Sequence, residues 1–521
     1  MVVMSIVRKG SAVSRCSESE WWTPQLTCPL IAAAVLRLTL LVMTLSRAGV
    51  SGLFSPDTTS YLEPGRNLLL HGRFVADGAP DLLRTPGYSL YLAITSLAGL
   101  PTAALANVVL SVFTVLLVWR LGRAVCDDSR IAICAAWICA FEPLSVVNST
   151  LLMSETLFLA LFVLSLERVA AFLRGGSLRV LATAGLWLAA ATFVRPVTYY
   201  LPIALAVGLF LVLVRVKSLP PQRQRPVAGD LGLSWKAPAV LLLSALPLLA
   251  AWQIRNWTET GYTGFSSVSD LNLYYFIAPD VEAQVEHRSY TDIRTELGYG
   301  CALGCGERFY LYSRYLALHP EQTEWSQGQR LAFMHSAALE VIRPHFGVYL
   351  RQCFSHLLVA LFGPGTGALS NLLSPEDFGR MSRLIAYTGP IRAGIALAKP
   401  YPWIAAEKAA FVAAMLGLYL FAARGIRRGE MHRACLWLLL GTSIYFFAVS
   451  AAAGGAGMSA RYRLPVMPAV CILAAAGVVR SRKSAQTPRK PATDSARAGM
   501  EHDHLACRLQ SIPDTLEPAN I

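Results

Sequence analysis

Residues 29–46 have the sequence PLIAAAVLRLTLLVMTLS, in which Arg37 is the single charged side chain. A bilayer core about 30 Å thick requires about 20 apolar residues, because a helix rises about 1.5 Å per residue and satisfies its own backbone hydrogen bonds. The run therefore predicts a membrane-spanning helix. It follows Arg8, Lys9 and Arg15 and lacks a small-residue cleavage site, so we expect an uncleaved signal anchor and a cytoplasmic N-terminus.

The composition of the whole chain is that of a membrane protein. Of its 521 residues, 54% are hydrophobic and 15% are charged, and the mean hydropathy is +0.46, whereas about 25% of the residues of a soluble protein are charged. The net charge of +14 comes from Lys and Arg between apolar runs, which indicates membrane topology and attraction to anionic lipids and not nucleic-acid binding. The eleven cysteines lie mostly in apolar segments. That distribution is typical of small hydrophobic residues and not of a disulfide scaffold, and no zinc-ligand spacing occurs.

Nine further runs have the length and apolarity of membrane spans, with ends defined to about two to four residues. We therefore predict an all-α polytopic membrane protein with ten transmembrane helices, a membrane-parallel first external loop and a larger external domain after the seventh span. The predicted spans cover residues 29–46, 103–121, 131–147, 152–173, 178–194, 197–214, 238–254, 403–423, 434–451 and 464–479.

Positive charge distinguishes the two faces of the membrane. Alternate short loops carry clusters of Arg and Lys, around Arg123, Arg174, Arg223 and Arg427, and the positive-inside rule assigns such loops to the cytoplasm. Residues 1–28 and 480–521 are then cytoplasmic tails. The second tail is rich in Pro, Ser, Thr and Ala without hydrophobic periodicity, so we predict that it is disordered.

Two external segments are too long to be simple connections. The first external loop covers residues 48–102, within an N-terminal transmembrane module of residues 29–254. An external domain of residues 255–402 separates this module from the C-terminal spans of residues 403–479.

One segment of the external domain is amphipathic. Residues 346–362, FGVYLRQCFSHLLVALF, are apolar on one side and carry Arg351 and His356 on the other, which predicts a helix at the outer interface. A true span, paired with residues 384–398, is the alternative.

The first external loop holds the polar residues that point to chemistry. It contains SPDTTSYL at 55–62, RNLL at 66–69, GRF at 72–74 and LRTPGY at 83–88. Asp57 lies shortly after the first span and comes after Pro56, which favours helix initiation. Residues 58–70 are predicted to form a helix along the membrane plane. A carboxylate is thereby expected at the boundary of lipid and water.

This loop resembles the first external loop of the GT-C superfamily of integral membrane glycosyltransferases, in the branch of protein O-mannosyltransferases and the lipid A aminoarabinose transferase. Their pattern is an acidic residue, Tyr-Leu, Asn-Leu-Leu, Gly, an aromatic residue and a closing Arg-x-Pro-Gly-Tyr. Pro64-Gly65 departs from it, because the family usually has a helix-forming Ala there, and this bears on the continuity of the interfacial helix. Further matches are SETLF at 154–158, Arg195-Pro196, Arg255-Asn256 with Gly261, and ARYRLP at 460–465, so the resemblance covers roughly residues 30–480.

The resemblance implies transfer of a sugar from a polyprenyl-phosphate donor to a protein, lipid or glycan acceptor on the external face, usually with inversion. Asp57 would be the base, a role that suits a carboxylate beside an oxocarbenium-like transition state. Glu155 matches the second acidic position, where it would bind the acceptor, orient Asp57 or hold a divalent metal. No cofactor is otherwise implied. The predicted substrate-binding residues, most of them cations suited to a lipid phosphate, are Arg84, Tyr88, Arg195, Arg255, Arg461 and Arg463.

Structural roles remain open for these residues. Asp is a favoured N-cap, an Arg at an outer helix end can reach lipid phosphates, and Glu155 suits the positive end of a helix dipole. Arg37 is expected to extend towards the cytoplasmic interface. A polytopic lipid or solute transporter without transferase activity is the alternative function, although no clear internal repeat or matched broken helices support it. Cys301 and Cys305 are predicted to form an external disulfide, with two free thiols as the alternative.

Reporter fusions test the topology of ten spans. Fusions at Arg225 and Arg428 should be cytoplasmic and a fusion near Gln322 external, because the even number of spans and the positions of the Arg-rich loops agree. A fusion at Arg428 that is external would show that residues 346–362 cross the membrane and that the count is wrong.

Overall fold

The computed structural model describes residues 23–55, 57–217, 235–299, 313–363, 365, 402–453 and 460–479. The part up to Val479 forms one compact unit. In these ranges the secondary structure is helical apart from one short hairpin and one isolated bridge. The predicted all-α polytopic architecture is confirmed.

The first half of the chain supplies most of the membrane helices. They are α1 (Thr27–Ala48), α2 (Thr59–His71), α3 (Pro86–Thr95), α4 (Leu100–Val125), α5 (Ser129–Ala140), α6 (Pro143–Asn148), α7 (Glu155–Leu173), α8 (Leu178–Val194), α9 (Leu201–Lys217) and α10 (Lys236–Thr260).

The second half contains a group of shorter helices followed by three long or strongly apolar ones. They are α11 (Val268–Asn272), a π-helical turn (Leu273–Ile277), α12 (Ala278–Glu286), α13 (Tyr290–Glu296), α14 (Ser313–Leu318), α15 (Gln327–Ile342), α16 (Phe346–Phe362), α17 (Pro402–Arg428), α18 (Arg433–Ala453), a 3-10 turn (Ala460–Val466) and α19 (Met467–Val478).

The predicted spans fall on helices, and the third is divided between α5 and α6. Eight helical segments within the described residues are long and apolar enough to cross a membrane, and α5, α8 and α16 are shorter apolar helices. The count of ten therefore stays a prediction, since two of the ten runs lie on the shorter helices α5 and α8. The eight longer segments are Pro24–Leu53, Leu100–Val125, Glu155–Leu173, Pro196–Arg215, Lys236–Thr260, Pro402–Arg428, Arg433–Ala453 and Ala460–Val478.

The third predicted span, residues 131–147, is not continuous. Helix α5 ends at Ala140 and α6 begins at Pro143. Proline lacks an N–H group and restricts the backbone of the preceding residue, so a helix tends to end before it. Glu142 caps the new helix by accepting hydrogen bonds from the backbone N–H groups of Leu144 at 3.1 Å and Ser145 at 2.6 Å.

Arg37 is fully buried among helices, and the prediction that it extends to the cytoplasmic interface is wrong. Its guanidinium group donates to Ser111 Oγ at 2.7 Å, to Ser145 Oγ at 3.1 Å and to the carbonyl of Ala140 at 2.9 Å. Ala140 is the last residue of α5, whose terminal carbonyl groups lack partners within the helix. The break in the third span therefore creates acceptors that satisfy a buried cation.

The first external loop packs closely on the membrane helices. Helix α2 continues through Pro64, and the departure from the family pattern at Pro64-Gly65 does not interrupt it. A Cβ atom on Gly65 would lie 2.1 Å from the carbonyl oxygen of Ser89 in α3, and one on Gly87 would lie 2.7 Å from that of Phe193 in α8. Glycine at these two positions lets α2 approach α3, and α3 approach the outer end of α8.

A hairpin closes the loop between α2 and α3. Strands β1 (Val75–Ala76) and β2 (Ala79–Pro80) pair antiparallel through a two-residue turn. Asp77 and Gly78 in that turn have φ of 50° and 74°, which the Asp-Gly sequence favours. Asn67 of α2 donates to the carbonyl of Val75 at 2.9 Å, so the hairpin is fixed to α2.

The shorter helices α11–α16 fall in the predicted external domain and are called the external helices here. They have a core of their own, into which the first external loop inserts. Leu82 is buried there with Tyr275, Tyr315, Leu331 and Met334. The backbone N–H of Ser267 also donates to the carbonyl of Leu82 at 2.8 Å. The two external segments are thus joined. The predicted disulfide cysteines, residues 1–22 of the first predicted tail, the second predicted tail and residues 384–398 lie outside the described residues.

We predict that Gly65→Ala lowers stability by about 1–3 kcal/mol, because the added methyl group would overlap the backbone of Ser89. Gly347→Ala in α16 is the control, since its Cβ would meet no atom within 4 Å and Ala is the better helix former. Thermal unfolding of the purified protein in detergent measures the difference. Equal melting temperatures for the two variants would contradict the close approach of α2 and α3.

Candidate active site

A series of alternating charges lies where the first external loop meets α7 and the turn before α19. Asp57 Oδ1 accepts a hydrogen bond from Arg84 Nη2 at 2.9 Å, and Oδ2 accepts one from Arg461 Nη1 at 3.0 Å. Arg461 also lies 3.8 Å from Oε1 of Glu155, which forms an ion pair with Arg195. The five side chains contribute three positive and two negative charges.

Asp57 is fixed by a tight turn and is not a helix cap. Thr58, the residue before α2, donates from Oγ1 to the carbonyl of Leu152 at 3.0 Å. This hydrogen bond holds the turn against the segment that precedes α7. The backbone carbonyl of Asp57 accepts a hydrogen bond from Ser60 Oγ at 2.6 Å. No side chain caps α2, and both carboxylate oxygens of Asp57 face guanidinium groups. The capping role is therefore wrong.

Opposing effects determine the pKa of Asp57. Burial raises the pKa of this carboxyl group, because the charged form loses solvation, whereas the charges and hydrogen bonds of Arg84 and Arg461 lower it. The two guanidinium groups prevail and hold the pKa of Asp57 well below its usual value. Asp57 is consequently a carboxylate at neutral pH.

Arg84 is held by several groups besides Asp57. Its Nε donates to Ser60 Oγ at 2.8 Å, its Nη1 donates to the hydroxyl of Tyr61 at 3.1 Å, and its guanidinium carbon lies 4.4 Å from the centre of the Tyr61 ring. The Tyr61 hydroxyl in turn lies 3.3 Å from Ser154 Oγ, next to α7. Arg84 is thus a rigid member of the site.

Glu155 and Arg195 form the inner end of the series. Glu155 is the first residue of α7, and its side chain is 3% exposed. Its position suits the helix dipole, as the structural alternative requires, and it also pairs with cations from two other segments. Arg195 follows α8 directly and is 19% exposed. Neither charge is left without a partner in the low-dielectric interior.

A small open cleft of about 20 Å³ lies beside this series. One wall carries the charges of Glu155, Arg195 and Arg461, and most of the remaining lining is apolar. A surface of this kind suits a ligand with an anionic group attached to hydrocarbon. The other lining residues are Phe158, Val197, Phe446, Ser450, Tyr462, Leu464 and Pro465.

Arg463 lies only two residues from Arg461 but does not reach the site. It is fully buried and donates from Nη1 to the carbonyl groups of Ala360, Leu361 and Gly363, at 2.9, 2.9 and 3.1 Å. These are the terminal carbonyls of α16. Arg463 therefore caps that helix, and its assignment as a substrate-binding residue is corrected to a structural one.

Arg255 and Tyr88 also have structural positions. Arg255 donates to the carbonyl groups of Phe74 at 2.8 Å and Asp81 at 3.2 Å, so it ties α10 to the first external loop. Tyr88 is fully buried and lies edge-on against Tyr61, with ring centres 4.8 Å apart. The structure thus brings together five of the eight predicted site residues and places Arg255, Tyr88 and Arg463 outside the cleft.

Metal binding has no support among the described residues. No group of three or more His, Cys, Asp or Glu side chains in those ranges is placed to hold a metal ion. Glu155, the predicted option, pairs with arginines in this structure.

Three further side chains complete the site, and the sequence alone assigned none of them a role. Ser60 and Tyr61 fix Arg84, and Ser154 contacts both Tyr61 and Arg195. The signal for the first two was their spacing, since residues three and four positions after Asp57 fall on the same side of a helical turn. Ser154 gave no signal beyond its place before Glu155.

Comparison with known proteins gives structural likeness only, since no protein-family model and no curated protein matches the chain. One similar solved structure is the archaeal oligosaccharyltransferase AglB from Archaeoglobus fulgidus, in complex with an inhibitory peptide and a dolichol-phosphate. It has 15% identity and a TM-score of 0.40, over 86% of this chain and 50% of that one. Another is ArnT from Cupriavidus metallidurans in the apo state, with 14% identity and a TM-score of 0.34, over 85% of this chain and 77% of that one.

This chain thus spans about half the length of the archaeal protein. Both neighbours belong to the GT-C superfamily, which the first external loop resembles. A likeness of this size carries no argument about activity, and function has to be argued from the site itself.

Proposed function

We propose that this protein is an integral membrane glycosyltransferase that moves a sugar from a polyprenyl-phosphate donor to an acceptor on the external face of the membrane, with inversion. The observation that carries the proposal is the position of Asp57. It is a carboxylate joined through Arg461 to a cleft that has cations on one wall and apolar side chains on the other.

Asp57 is the base in this proposal. The acceptor hydroxyl oxygen forms a bond to the anomeric carbon of the sugar, the bond from that carbon to the phosphate oxygen breaks, and the hydroxyl proton passes to Asp57. Attack from the face opposite the phosphate inverts the anomeric centre. A positioned carboxylate of this kind contributes about 10²–10⁴-fold to the rate.

Arg461 and Arg195 bind the phosphate. The leaving group is a lipid phosphate that gains negative charge as the bond breaks, and guanidinium groups stabilise such charge through paired N–H donors. Arg84 is too firmly engaged by Ser60 and Tyr61 to reach the cleft. Its task is to hold Asp57.

A second, apolar groove offers a place for the hydrocarbon of the donor. It has a volume of about 150 Å³ and runs between α7, α9 and α18. The two cavities share the walls of α7 and α18, and the Tyr445 hydroxyl in the groove donates to the carbonyl of Val197 in the cleft at 2.8 Å. Gly208 and Gly441 line the groove, and a Cβ on either would meet no atom within 4 Å.

The acceptor is a protein, lipid or glycan in this proposal, and it approaches from the external segments. Leu82 inserts into the core of the external helices, and Arg84 follows two residues later. These helices therefore lie close to Asp57 and are suited to present an acceptor. The positive-inside pattern places this side of a plasma membrane outside and both termini in the cytoplasm.

We predict that Asp57→Asn abolishes transfer, with a loss of at least about 100-fold, because Asn retains the size and hydrogen bonds of Asp but cannot take a proton. The measurement is transfer from a labelled polyprenyl-phosphate sugar in reconstituted membranes. Glu63→Gln is the matched control: Glu63 is an exposed carboxylate in α2, the helix that follows Asp57, and it accepts only from the backbone of Asp77 in the described contacts. Full activity of the Asp57→Asn protein would refute the catalytic role and favour the transporter alternative.

We predict that Gly208→Phe and Gly441→Phe raise KM for a long-chain donor about fivefold and leave KM for a short-chain donor unchanged. A phenyl ring at either position would occupy the groove and cost about 1 kcal/mol of packing with the lipid chain.

Gly417→Phe is the control for these variants. Gly417 lies in α17, away from the groove, and its Cβ would also meet no atom within 4 Å. Equal effects on long-chain and short-chain donors, or an equal effect of the control, would show that the groove does not hold the chain.

A further inference from the structure

The carboxylate of Asp57 is fully engaged in this structure. One oxygen accepts from Arg84 and the other from Arg461, at 2.9 and 3.0 Å. A carboxylate held by two guanidinium groups is a poor proton acceptor, since both cations favour its charged form. If Asp57 acts as the base, one of the two arginines has to leave it before the acceptor hydroxyl can be deprotonated.

The two arginines are held very differently. Arg84 is 15% exposed and has additional hydrogen bonds to Ser60 and Tyr61 as well as the ring contact. Arg461 is 31% exposed, and within the described part of the chain Asp57 is the one hydrogen-bond partner that its guanidinium group has. Displacing Arg84 breaks three hydrogen bonds and a ring contact at 4.4 Å. Displacing Arg461 breaks one hydrogen bond and a looser ring contact, in which its guanidinium carbon lies 5.5 Å from the centre of the Tyr462 ring.

The cleft offers Arg461 an alternative position. It lines the cleft together with Arg195, and its Nη1 already lies 3.8 Å from Glu155. Its Nε is buried and has no acceptor among the described residues. A phosphate in the cleft would supply acceptors for Arg461 and Arg195 together, while Glu155 continues to balance their charge.

We propose that Arg461 is a donor-operated clamp on the base: it neutralises Asp57 in the empty protein and turns to the donor phosphate when the donor binds. This inference rests on the proposed glycosyltransferase function. The charged and titratable groups that face Asp57 are Arg84, Arg461, Tyr61 and, beyond Arg461, Glu155. Of these, only Arg461 both donates a hydrogen bond to Asp57 and lines the cleft.

The clamp also explains how Asp57 loses the acceptor's proton after the sugar has been transferred. Asp57 then carries the proton of the acceptor, and the lipid phosphate carries the negative charge that the donor lacked. When the lipid phosphate leaves, Arg461 returns to Asp57, favours its charged form and releases the proton to external water. The base is thus strong while the donor is present and weak otherwise.

A double-mutant cycle on lipid-phosphate binding tests the clamp. The full-length protein in nanodiscs of neutral phospholipid is titrated at neutral pH with a long-chain polyprenyl monophosphate. We expect Asp57→Asn to lower Kd about tenfold, because Asp57 no longer competes with the phosphate for Arg461. In the Arg461→Gln background the same change should alter Kd by less than about twofold. In the Arg461→Lys background, which keeps a cation, the tightening should persist.

Two results would overturn the clamp. If Asp57 merely positions Arg461, Asp57→Asn weakens binding. If Asp57 only repels the phosphate, the tightening is equal with Arg461 and with Gln at that position. Glu63→Gln, which changes an exposed carboxylate of α2 outside the site, should leave Kd unchanged. Absence of any binding by the wild-type protein would instead refute the donor class in the proposed function, and the clamp with it.

Discussion

The contact of Asp57 with two arginines is the interaction on which the arrangement of this protein's outer face depends. Arg84 is 27 residues away from Asp57 in the sequence and Arg461 is 404 residues away. A charge near hydrocarbon is costly unless it has a partner of opposite sign. Any placement of the first external loop that separated Asp57 from these two cations would remove both ion-pair partners of Asp57 and would leave Arg461 with Glu155, 3.8 Å away. The loop, the start of α3 and the turn before α19 are therefore fixed together.

A second use of arginine recurs at the carboxyl ends of helices. Arg37 donates to Ala140 at the end of α5, Arg463 to the last carbonyls of α16, and Arg428 to Ala476 and Val479 at the end of α19. The final carbonyl groups of a helix have no partner in their own helix, and in a membrane water does not replace it. A guanidinium group satisfies several of them and also complements the negative end of the helix dipole.

These two roles explain what the sequence can and cannot predict. Hydropathy located the eight long apolar helices of the described residues, because length and apolarity are local properties. The pattern of the first external loop located Asp57 and Arg84, and the later matches located Glu155, Arg195 and Arg461. The sequence could not distinguish the role of Arg461 from that of Arg463. In a 3-10 turn with about three residues per turn, side chains two apart point in different directions, and whether each meets a carboxylate or a helix end depends on segments far away in the chain.

The great sequence separation of Asp57 and Arg461 has a consequence for biosynthesis. As the chain is inserted from its N-terminus, Asp57, Arg84, Glu155 and Arg195 are in place long before Arg461 is synthesised, and these four charges sum to zero. The last span then adds the cation that makes the cluster net positive and links the two carboxylates. In the proposed function Arg461 helps to hold the anionic lipid, so a chain without this span would keep four of the five charges but would lack that binding group.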